Sequence, residues 1–285
     1  MRDDFAILVL SHGRADSVIT MDTLWESGYT GRWYIVIDNE DTQAQQYRDR
    51  FGSEHVIMFD KLAKSREFDT CDMPYARRDA IVYARNASFD IARGLDLRYF
   101  MELDDDYREF KHRFVRDGML SSSYVRDMDS ILEAMIEFLD TSGALSIAMS
   151  QMGDFIGGQD CAMLRKRVTR KCMNSFLCRT DRPFTFIGRV NEDVNTYVWR
   201  ASRGELMLTV CDISLNQLDT QQKKGGMTGL YESGGTYLKS FYSVMVNPSS
   251  VRISTVGDGH MRFHHVVDWD ACAPKILSGR FRNRW

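Results

Sequence analysis

The sequence predicts an α/β fold in which a mixed, mainly parallel sheet is flanked by helices. Apolar runs of strand length recur through the first half of the chain, helical segments separate them, and polar or acidic residues follow each run directly. Continuous apolar runs are typical of parallel strands buried on both faces, and strand–helix–strand order implies crossovers that keep the strands parallel. The chain has 285 residues, and it shows no internal repeat or linker. We therefore expect one domain over 1–285.

The first half of the chain supplies most of the parallel strands. We predict strands at 5–10, 33–37, 55–59 and 97–103. We predict helices at 16–24, 43–50 and 75–93, with Gly28 and Gly94 as stop signals.

The second half changes character. We predict a helix at about 123–139, a strand at 145–149, loops and hairpins over 151–190, a helix at 192–201 and a strand at 206–213. A glycine-rich segment at 217–235 is the best candidate for a mobile loop. A helix at about 235–245 and two strands at 251–256 and 261–267 then close the fold as a small antiparallel region.

The composition excludes several classes of protein. A net charge of −3 gives no overall field for nucleic acid, so any such surface must be a local patch. No stretch approaches the ~18 apolar residues of a membrane helix, and the N-terminus lacks the features of a signal peptide. We expect a cytoplasmic protein with no membrane contact.

The strongest chemical signal is an acidic triplet at a strand end. Asp104, Asp105 and Asp106 follow the predicted strand at 97–103 directly. Side chains alternate along a strand, so Asp104 and Asp106 lie on one side and Asp105 on the other. Ligands of open α/β sheets bind beyond the carboxyl ends of the strands, and paired carboxylates suit Mg²⁺ or Mn²⁺. We predict that Asp104 and Asp106 bind a metal that bridges a diphosphate; a solvated acidic turn is the alternative.

Asp105 and four further side chains are candidates for contacts to the rest of a nucleotide ligand. Ser11, Arg14 and Asp38 follow the first two strands, where a uracil and ribose would lie in such a sheet. Arg85, on the helix before the acidic strand, is placed for a phosphate or sugar contact. For Ser11, Arg14 and Asp38 the alternative is an ordinary surface loop, and for Arg85 it is a solvent-facing basic stripe on the helix.

Two later motifs complete the candidate site. Glu192 and Asp193 are predicted to open a helix, whose N-terminus keeps a carboxylate ionised, as a general base requires. Asp193 is the preferred base, and simple capping is the alternative. His260, His264 and His265 cluster near the end of the chain, and His264 or His265 could complete the metal shell. A structural or surface role is the alternative.

Basic residues are segregated within this net-acidic chain. Seven Lys or Arg residues lie between Arg165 and Arg182 against one acid, Asp181, and the C-terminal tail adds four more basic residues interleaved with Phe281 and Trp285. Such segregation suits a polyanionic acceptor such as DNA, or it forms a solvated basic face.

Several strings together resemble the TET-associated glycosyltransferases of bacteriophages: FAILVLSHGRADS, WYIVIDNEDT, RRDAIVYARN, RYFMELDDDY and FIGRVNEDVNTY, within about 5–269. The resemblance implies a GT-A (Rossmann-like) fold, a UDP-sugar donor and Mn²⁺ or Mg²⁺. It also implies a hydroxymethylated DNA acceptor prepared by a partner TET-like oxygenase. Carried onto this sequence, it assigns Asp104 and Asp106 to the metal, Asp193 to the base, and His264 or His265 to a late metal ligand.

The resulting prediction is a hexosyltransferase in the host cytoplasm. It would transfer a hexose from a UDP-sugar to the hydroxyl of a 5-hydroxymethylpyrimidine, 5-hydroxymethylcytosine first, in phage DNA. Residues 1–110 would form the nucleotide-sugar-binding half and residues 111–285 the acceptor-binding half. Two alternatives stay open: a glycosyltransferase acting on carbohydrate or protein, and a non-catalytic DNA-binding module on a transferase fold.

Overall fold

The structure is a computed structural model that describes residues 1–71, 78–217, 228–256 and 261–273. The strands within these residues are β1 (Phe5–Leu10), β2 (Arg32–Asp38), β3 (Val56–Phe59), β4 (Tyr99–Asp104), β5 (Tyr107–Arg116), β6 (Met119–Tyr124), β7 (Ser146–Gln151), β8 (Val168–Thr169), β9 (Phe176–Arg179), β10 (Met207–Gln217), β11 (Val251–Val256) and β12 (Arg262–Val267). The α-helices are α1 (Ile19–Glu26), α2 (Ala44–Phe51), α3 (Lys61–Lys64), α4 (Val82–Gly94), α5 (Met128–Ser142), α6 (Ala162–Lys166), α7 (Glu192–Ala201), α8 (Thr228–Val246) and α9 (Trp269–Cys272).

Ten strands form one mixed sheet. Their order is β3-β2-β1-β4-β9-β7-β10-β5-β6, with β8 paired to β10. The strands β3, β2, β1 and β4 pair in parallel, and so do β7 and β10. Strand β9 lies antiparallel between β4 and β7, which therefore run the same way. The β5–β6 hairpin forms the antiparallel edge. The predicted α/β class, with a mixed and mainly parallel sheet, is confirmed.

Helices cover both faces of this sheet. All six residues of β1 are buried, and alternate residues enter different apolar cores because strand side chains alternate. Ile7 packs in a core with residues of α1, α2 and α5, whereas Leu8 packs in one with residues of α4 and α7. Helix α5 begins with the Asp127 side chain as its N-cap and ends at Gly143 in the left-handed region.

Several predicted elements differ from the structure. Helix α4 begins at Val82; before it, Arg78 pairs with Glu40 and Asp79 pairs with Arg189. Residues 75–77 of the predicted helix lie outside the described residues.

Three other differences are a missed hairpin, a later helix start and a longer helix. The helix predicted at about 123–139 is α5, which begins at Met128, because residues 123–124 belong to β6. The β5–β6 hairpin was not predicted. Of the predicted mobile loop, 218–227 lie outside the described residues and 228–235 belong to α8. Strands β11 and β12 form the expected antiparallel pair.

The division into two functional halves stays a prediction, and its boundary at 110 falls inside β5. Within the described residues, no helix is both long and apolar enough to cross a membrane.

Candidate active site

The candidate site lies at the carboxyl edge of the parallel strands. In the register of β1 and β4, Leu10 lies opposite Asp104, so Ser11 and Asp105 leave the sheet side by side. Strand β2 ends at Asp38 on the same edge, because it runs parallel to β1. Polar residues are concentrated where parallel strands end, as ligand binding in such folds requires.

A buried arginine connects the helix before this strand with the acidic residues. Arg85 is 1% exposed. Its Nη2 donates to Asp104 Oδ1 at 2.9 Å, and its Nε donates to Glu192 Oε1 at 3.0 Å. Its Nη1 lies 3.5 Å from Glu102 Oε2, and its guanidinium lies 4.7 Å from the ring centroid of Phe176. Arg85 therefore joins α4, β4 and the first turn of α7, and the structure places it inside the protein rather than on a solvent-facing stripe.

The acids around this arginine outnumber it. Burial raises the pKa of Glu102 to about 8, with Arg85 opposing the shift. Burial raises the pKa of Asp104 to about 7; Arg85 opposes this, while Asp106 and Glu192 reinforce it. Burial and neighbouring Asp193 also raise the pKa of Glu192. Three carboxyl groups surround one guanidinium, and their raised pKa values mean that their ionised forms are disfavoured unless a further cation binds nearby.

The donor set at the end of β4 fits a divalent cation that is shared with a ligand. Asp104 and Asp106 are both only partly buried. Among the residues that the structure describes, no group of three or more His, Cys, Asp or Glu side chains is arranged to hold a metal ion. Mg²⁺ in enzymes typically takes one or two carboxylates and completes its shell with water and substrate phosphates. Two aspartates in an acidic surrounding match that pattern, and their role as metal ligands stays a prediction.

Asp105 points to the other side of the strand end, as alternation predicts. Its Oδ2 accepts a hydrogen bond from Ser11 Oγ at 2.6 Å, and its Oδ1 accepts one from Arg14 Nη1 at 2.9 Å. The Tyr47 hydroxyl lies 2.7 Å from Ser11 Oγ and accepts a hydrogen bond from the Arg14 backbone N–H. Asp105 and Ser11 thus fix the loop after β1, and Arg14 is the member of the three that is most open to solvent.

Asp38 is held in a similar way. Its Oδ2 lies 2.7 Å from His12 Nδ1 and accepts a hydrogen bond from Lys61 Nζ at 3.1 Å. Burial alone would raise the pKa of Asp38, but His12 and Lys61 lower it below its usual value. Lys61 is buried, and sequence reasoning missed it, because a lysine after a predicted strand gives no sign that its amine turns inward.

The turn before α7 is attached to α4 by the residue after Arg85. The Asn86 side chain exchanges two hydrogen bonds with the Phe186 backbone, at 3.0 and 2.8 Å. Asn191, with φ of 53°, precedes the helix and donates to Lys239 O on α8 at 2.7 Å. Helix α7 starts at Glu192 as predicted, and Asp193 is buried in its first turn. Arg85 and Asn86 on α4 thus position the acidic start of α7.

Gly188, in the turn before α7, allows a test of how tightly this turn packs against the helix. It has φ of +83°, and an added Cβ would lie 2.4 Å from Asn195 Nδ2. We expect Gly188→Ala to lower the free energy of unfolding by about 1–2 kcal/mol, and by more than Gly118→Ala does. Gly118 has φ of +75° but nothing within 4 Å of its Cβ position, so it shares only the backbone strain. Urea unfolding of both variants checks this; equal losses would contradict a tight contact at Gly188.

The late histidines lie on the second, two-stranded sheet. His264 and His265 are on β12, which pairs with β11 and packs against α8, and their rings stack with centroids 4.6 Å apart. Burial, reinforced by His264 and Lys239, lowers the pKa of His265 to about 4. The structure does not gather either histidine with Asp104 and Asp106 into one ligand set, and their metal role stays a prediction. His260 lies outside the described residues.

Four of the seven residues in the basic segment form ion pairs and four are exposed, and Arg167 does both. Arg179 and Arg182 pair with Asp140 on α5, and Arg179 also pairs with Asp181. Lys171 and Arg167 pair with Asp154 and Asp212. The exposed members are Arg165, Lys166, Arg167 and Arg170. The candidate DNA contact is therefore smaller than the sequence run suggested, and the basic C-terminal tail lies outside the described residues.

Comparison with known families identifies the chain. The sequence model of the TET-Associated Glycosyltransferase family matches residues 5–226. The chain belongs to this family of glycosyltransferases. Comparison with curated proteins gives no match. The family and the observed mixed sheet agree with the predicted GT-A-type fold.

Several solved structures are similar to this chain at low sequence identity. The mannosyltransferase PcManGT from Pyrobaculum calidifontis, in complex with GDP-Man and Mn²⁺, is 14% identical with a TM-score of 0.48, over 82% of this chain and 61% of that one. Glucosyl-3-phosphoglycerate synthase from Mycobacterium tuberculosis, in complex with Mg²⁺ and UDP, is 10% identical with a TM-score of 0.47, over 93% and 88%. S. aureus TarS 1-349 is 10% identical with a TM-score of 0.44, over 75% of this chain and 60% of TarS 1-349.

Proposed function

We propose that this protein is a metal-dependent hexosyltransferase that takes its sugar from a UDP-sugar and transfers it to a hydroxymethylated pyrimidine in DNA. The observation that carries the proposal is the acidic cluster at the end of β4, in a chain of this family. Asp104 and Asp106 would hold Mn²⁺ or Mg²⁺, which would neutralise the charge that develops on the departing diphosphate.

The chain's own residues have separate tasks in this proposal. Arg85 holds Asp104 and Glu192 in place through two hydrogen bonds, so that the carboxylates are fixed before the donor binds. Arg14 lies at the rim of the site and would contact the nucleotide, while Ser11, Asp38 and Asp105 keep the surrounding loops rigid. Asp193 would accept the proton of the attacking hydroxyl.

The DNA acceptor is supported by the family and by the exposed basic residues of α6 and its flank. A TET-like oxygenase would supply the hydroxymethyl group that this protein modifies. A base stacked in duplex DNA would have to leave the stack to reach a buried sugar carbon, whereas an unpaired base avoids that cost.

One experiment tests the proposed function. The protein is incubated with Mn²⁺, a panel of UDP-sugars and DNA that contains 5-hydroxymethylcytosine, and the digested nucleosides are examined by mass spectrometry. We expect a hexose adduct on the hydroxymethylated base and none on plain cytosine. Transfer to carbohydrate or protein with no DNA adduct would contradict the acceptor and keep the transferase. DNA binding with no turnover of any UDP-sugar would indicate a non-catalytic module.

A further inference from the structure

Two amide side chains meet beside the acidic end of β4. Asn174 Nδ2 donates a hydrogen bond to Gln217 Oε1. Asn174 lies in the segment before β9, Gln217 is the last residue of β10, and both residues are partly exposed. A side-chain amide has two N–H donors and a carbonyl oxygen with two lone pairs, so one mutual bond leaves most of these groups unused. The pair can therefore bind a polar ligand.

Tyr107 connects the amide pair to the acidic triplet. This residue follows Asp106 directly, and it lies opposite Gln217 in the register of β5 and β10. Its side chain is fully buried, and its hydroxyl donates to the backbone carbonyl of Asn174. One tyrosine thus fixes both amides next to the residues that would hold the cation.

The amide pair and the nucleotide loops lie on different sides of β4. Strand β4 has β1 as one neighbour and β9 as the other. Phe176 lies opposite Glu102 in the antiparallel register of β9 and β4, so Asn174, two residues earlier, comes level with Asp104. The loops after β1 and β2, where the nucleotide would bind, lie on the other side. The cation and diphosphate would therefore separate the amide pair from the nucleotide, which is the position that an acceptor requires.

Asn174 is held in a constrained conformation. Its φ is 60°, in the left-handed region that few residues other than glycine and asparagine adopt. The next residue also fixes the segment, because Ser175 Oγ accepts a hydrogen bond from the Met149 backbone N–H at 3.0 Å. A polar group that is already held in place loses little freedom when it binds a ligand.

The unused groups of the pair match the edge of cytosine. Within the part of the chain that the structure describes, Asn174 Oδ1 and Gln217 Nε2 make no hydrogen bond, so an acceptor lies beside a donor. Cytosine has a donor at its 4-amino group and an acceptor at N3, whereas uracil has these two in the opposite order. With the 5-hydroxymethyl group toward the donor's sugar, the 4-position of the base lies nearest to Asn174, which is level with Asp104.

We propose that Asn174 and Gln217 bind the Watson–Crick edge of the acceptor base and select 5-hydroxymethylcytosine over 5-hydroxymethyluracil. Asn174 Oδ1 accepts a hydrogen bond from the 4-amino group, and Gln217 Nε2 donates one to N3. The proposal rests on the proposed function, to which it adds the identity of the base. It also requires an unpaired or flipped base, because base pairing occupies the same edge.

The test removes the two amides one at a time. Asn174→Gly keeps the backbone carbonyl that Tyr107 binds, and glycine adopts the left-handed region freely. Gln217→Met keeps an uncharged side chain of similar length. Asp96→Gly is the matched control, because Asp96 is an exposed residue with φ of 55° that precedes the start of β4, at the opposite end of that strand from the site.

Steady-state transfer is measured on DNA strands that carry a single 5-hydroxymethylcytosine or a single 5-hydroxymethyluracil. We expect the wild type and Asp96→Gly to use the cytosine strand at least roughly tenfold better in kcat/KM. Each amide variant should lose roughly tenfold on the cytosine strand and little on the uracil strand, with the KM for the UDP-sugar unchanged. The double variant should lose little more than either single variant, because the two amides act as one unit.

Three results would overturn the proposal. A wild type that uses both strands equally would show that this edge is not read. An unchanged ratio between the two strands in both amide variants would indicate a structural role, which lowers transfer to both bases alike. A raised KM for the UDP-sugar with an unchanged KM for DNA would assign the pair to the donor's sugar. Failure of the proposed function looks different: the wild type would transfer sugar to neither strand, and the pair would lose its base as well.

Discussion

Asp104→Asn is expected to reduce sugar transfer by about three orders of magnitude without unfolding the protein. The carboxylate at the end of β4 would be one of two protein ligands to the cation, and metal stabilisation of a departing diphosphate contributes several kcal/mol, about 4 kcal/mol here. The amide oxygen of asparagine can still accept the hydrogen bond that Arg85 donates to Asp104 Oδ1. Because burial and the neighbouring acids disfavour the ionised form of Asp104, loss of its charge should leave the melting temperature unchanged or raise it.

Asp117→Asn is the matched control. Asp117 is exposed at the tip of the β5–β6 hairpin and has φ of 50°, a conformation that asparagine tolerates. Turnover of the UDP-sugar and thermal unfolding are measured for both variants. Equal turnover by Asp104→Asn and Asp117→Asn would contradict a catalytic role of the strand-end acids.

Arg85→Met should be the most destabilising single substitution near the site. It removes the only guanidinium that contacts Glu102, Asp104 and Glu192 among the described residues, and it leaves these buried or partly buried carboxyl groups without the cation that stabilises their ionised forms. Removal of one partner from a buried charge network costs about 3–5 kcal/mol. Activity should fall as well, because β4 and α7 lose their common hydrogen-bond donor. Urea unfolding gives the loss of stability, and steady-state kinetics give the loss of activity.

Two further variants show whether the buried charge network causes the loss of stability in Arg85→Met. Arg93→Met, on the same helix, removes an arginine whose side chain is 49% exposed and pairs with Asp90; it should cost less than about 1 kcal/mol. In the Arg85→Met background, Glu102→Gln should recover part of the stability, because it removes one uncompensated buried carboxylate. The charge network would be refuted if Arg85→Met lost as little stability as Arg93→Met and if Glu102→Gln recovered none of it.

The parallel core of the fold could be predicted because its strands are continuous apolar runs that stop at polar residues. The β5–β6 hairpin was missed because its first strand, YREFKHRFVR, is rich in charge and lacks clean alternation. Its signal was the Asp117-Gly118 pair, whose φ angles are both positive and which is typical of tight hairpin turns. The short strand β9 gave no signal that would place it between β4 and β7.

The site was predicted at the level of residue type and less well at the level of contacts. The position of Asp104 after a buried strand and of Glu192 at a helix start followed from local sequence. That Arg85 would be the partner of both depends on three elements meeting in space, which no local pattern encodes. The inward turn of Lys61 toward Asp38 has the same origin. Sequence patterns report which faces are buried, whereas pairings between distant polar groups arise from tertiary packing.

The central claim is that Asp104 and Asp106 hold a divalent cation beneath the donor's diphosphate. Electron paramagnetic resonance of free Mn²⁺, titrated with protein in the presence of UDP, tests it directly. We expect the wild type and Asp117→Asn to remove Mn²⁺ from solution only when UDP is present, and the Asp104→Asn/Asp106→Asn double variant to leave it free. Binding of UDP with equal affinity in EDTA, or full Mn²⁺ uptake by the double variant, would contradict the account.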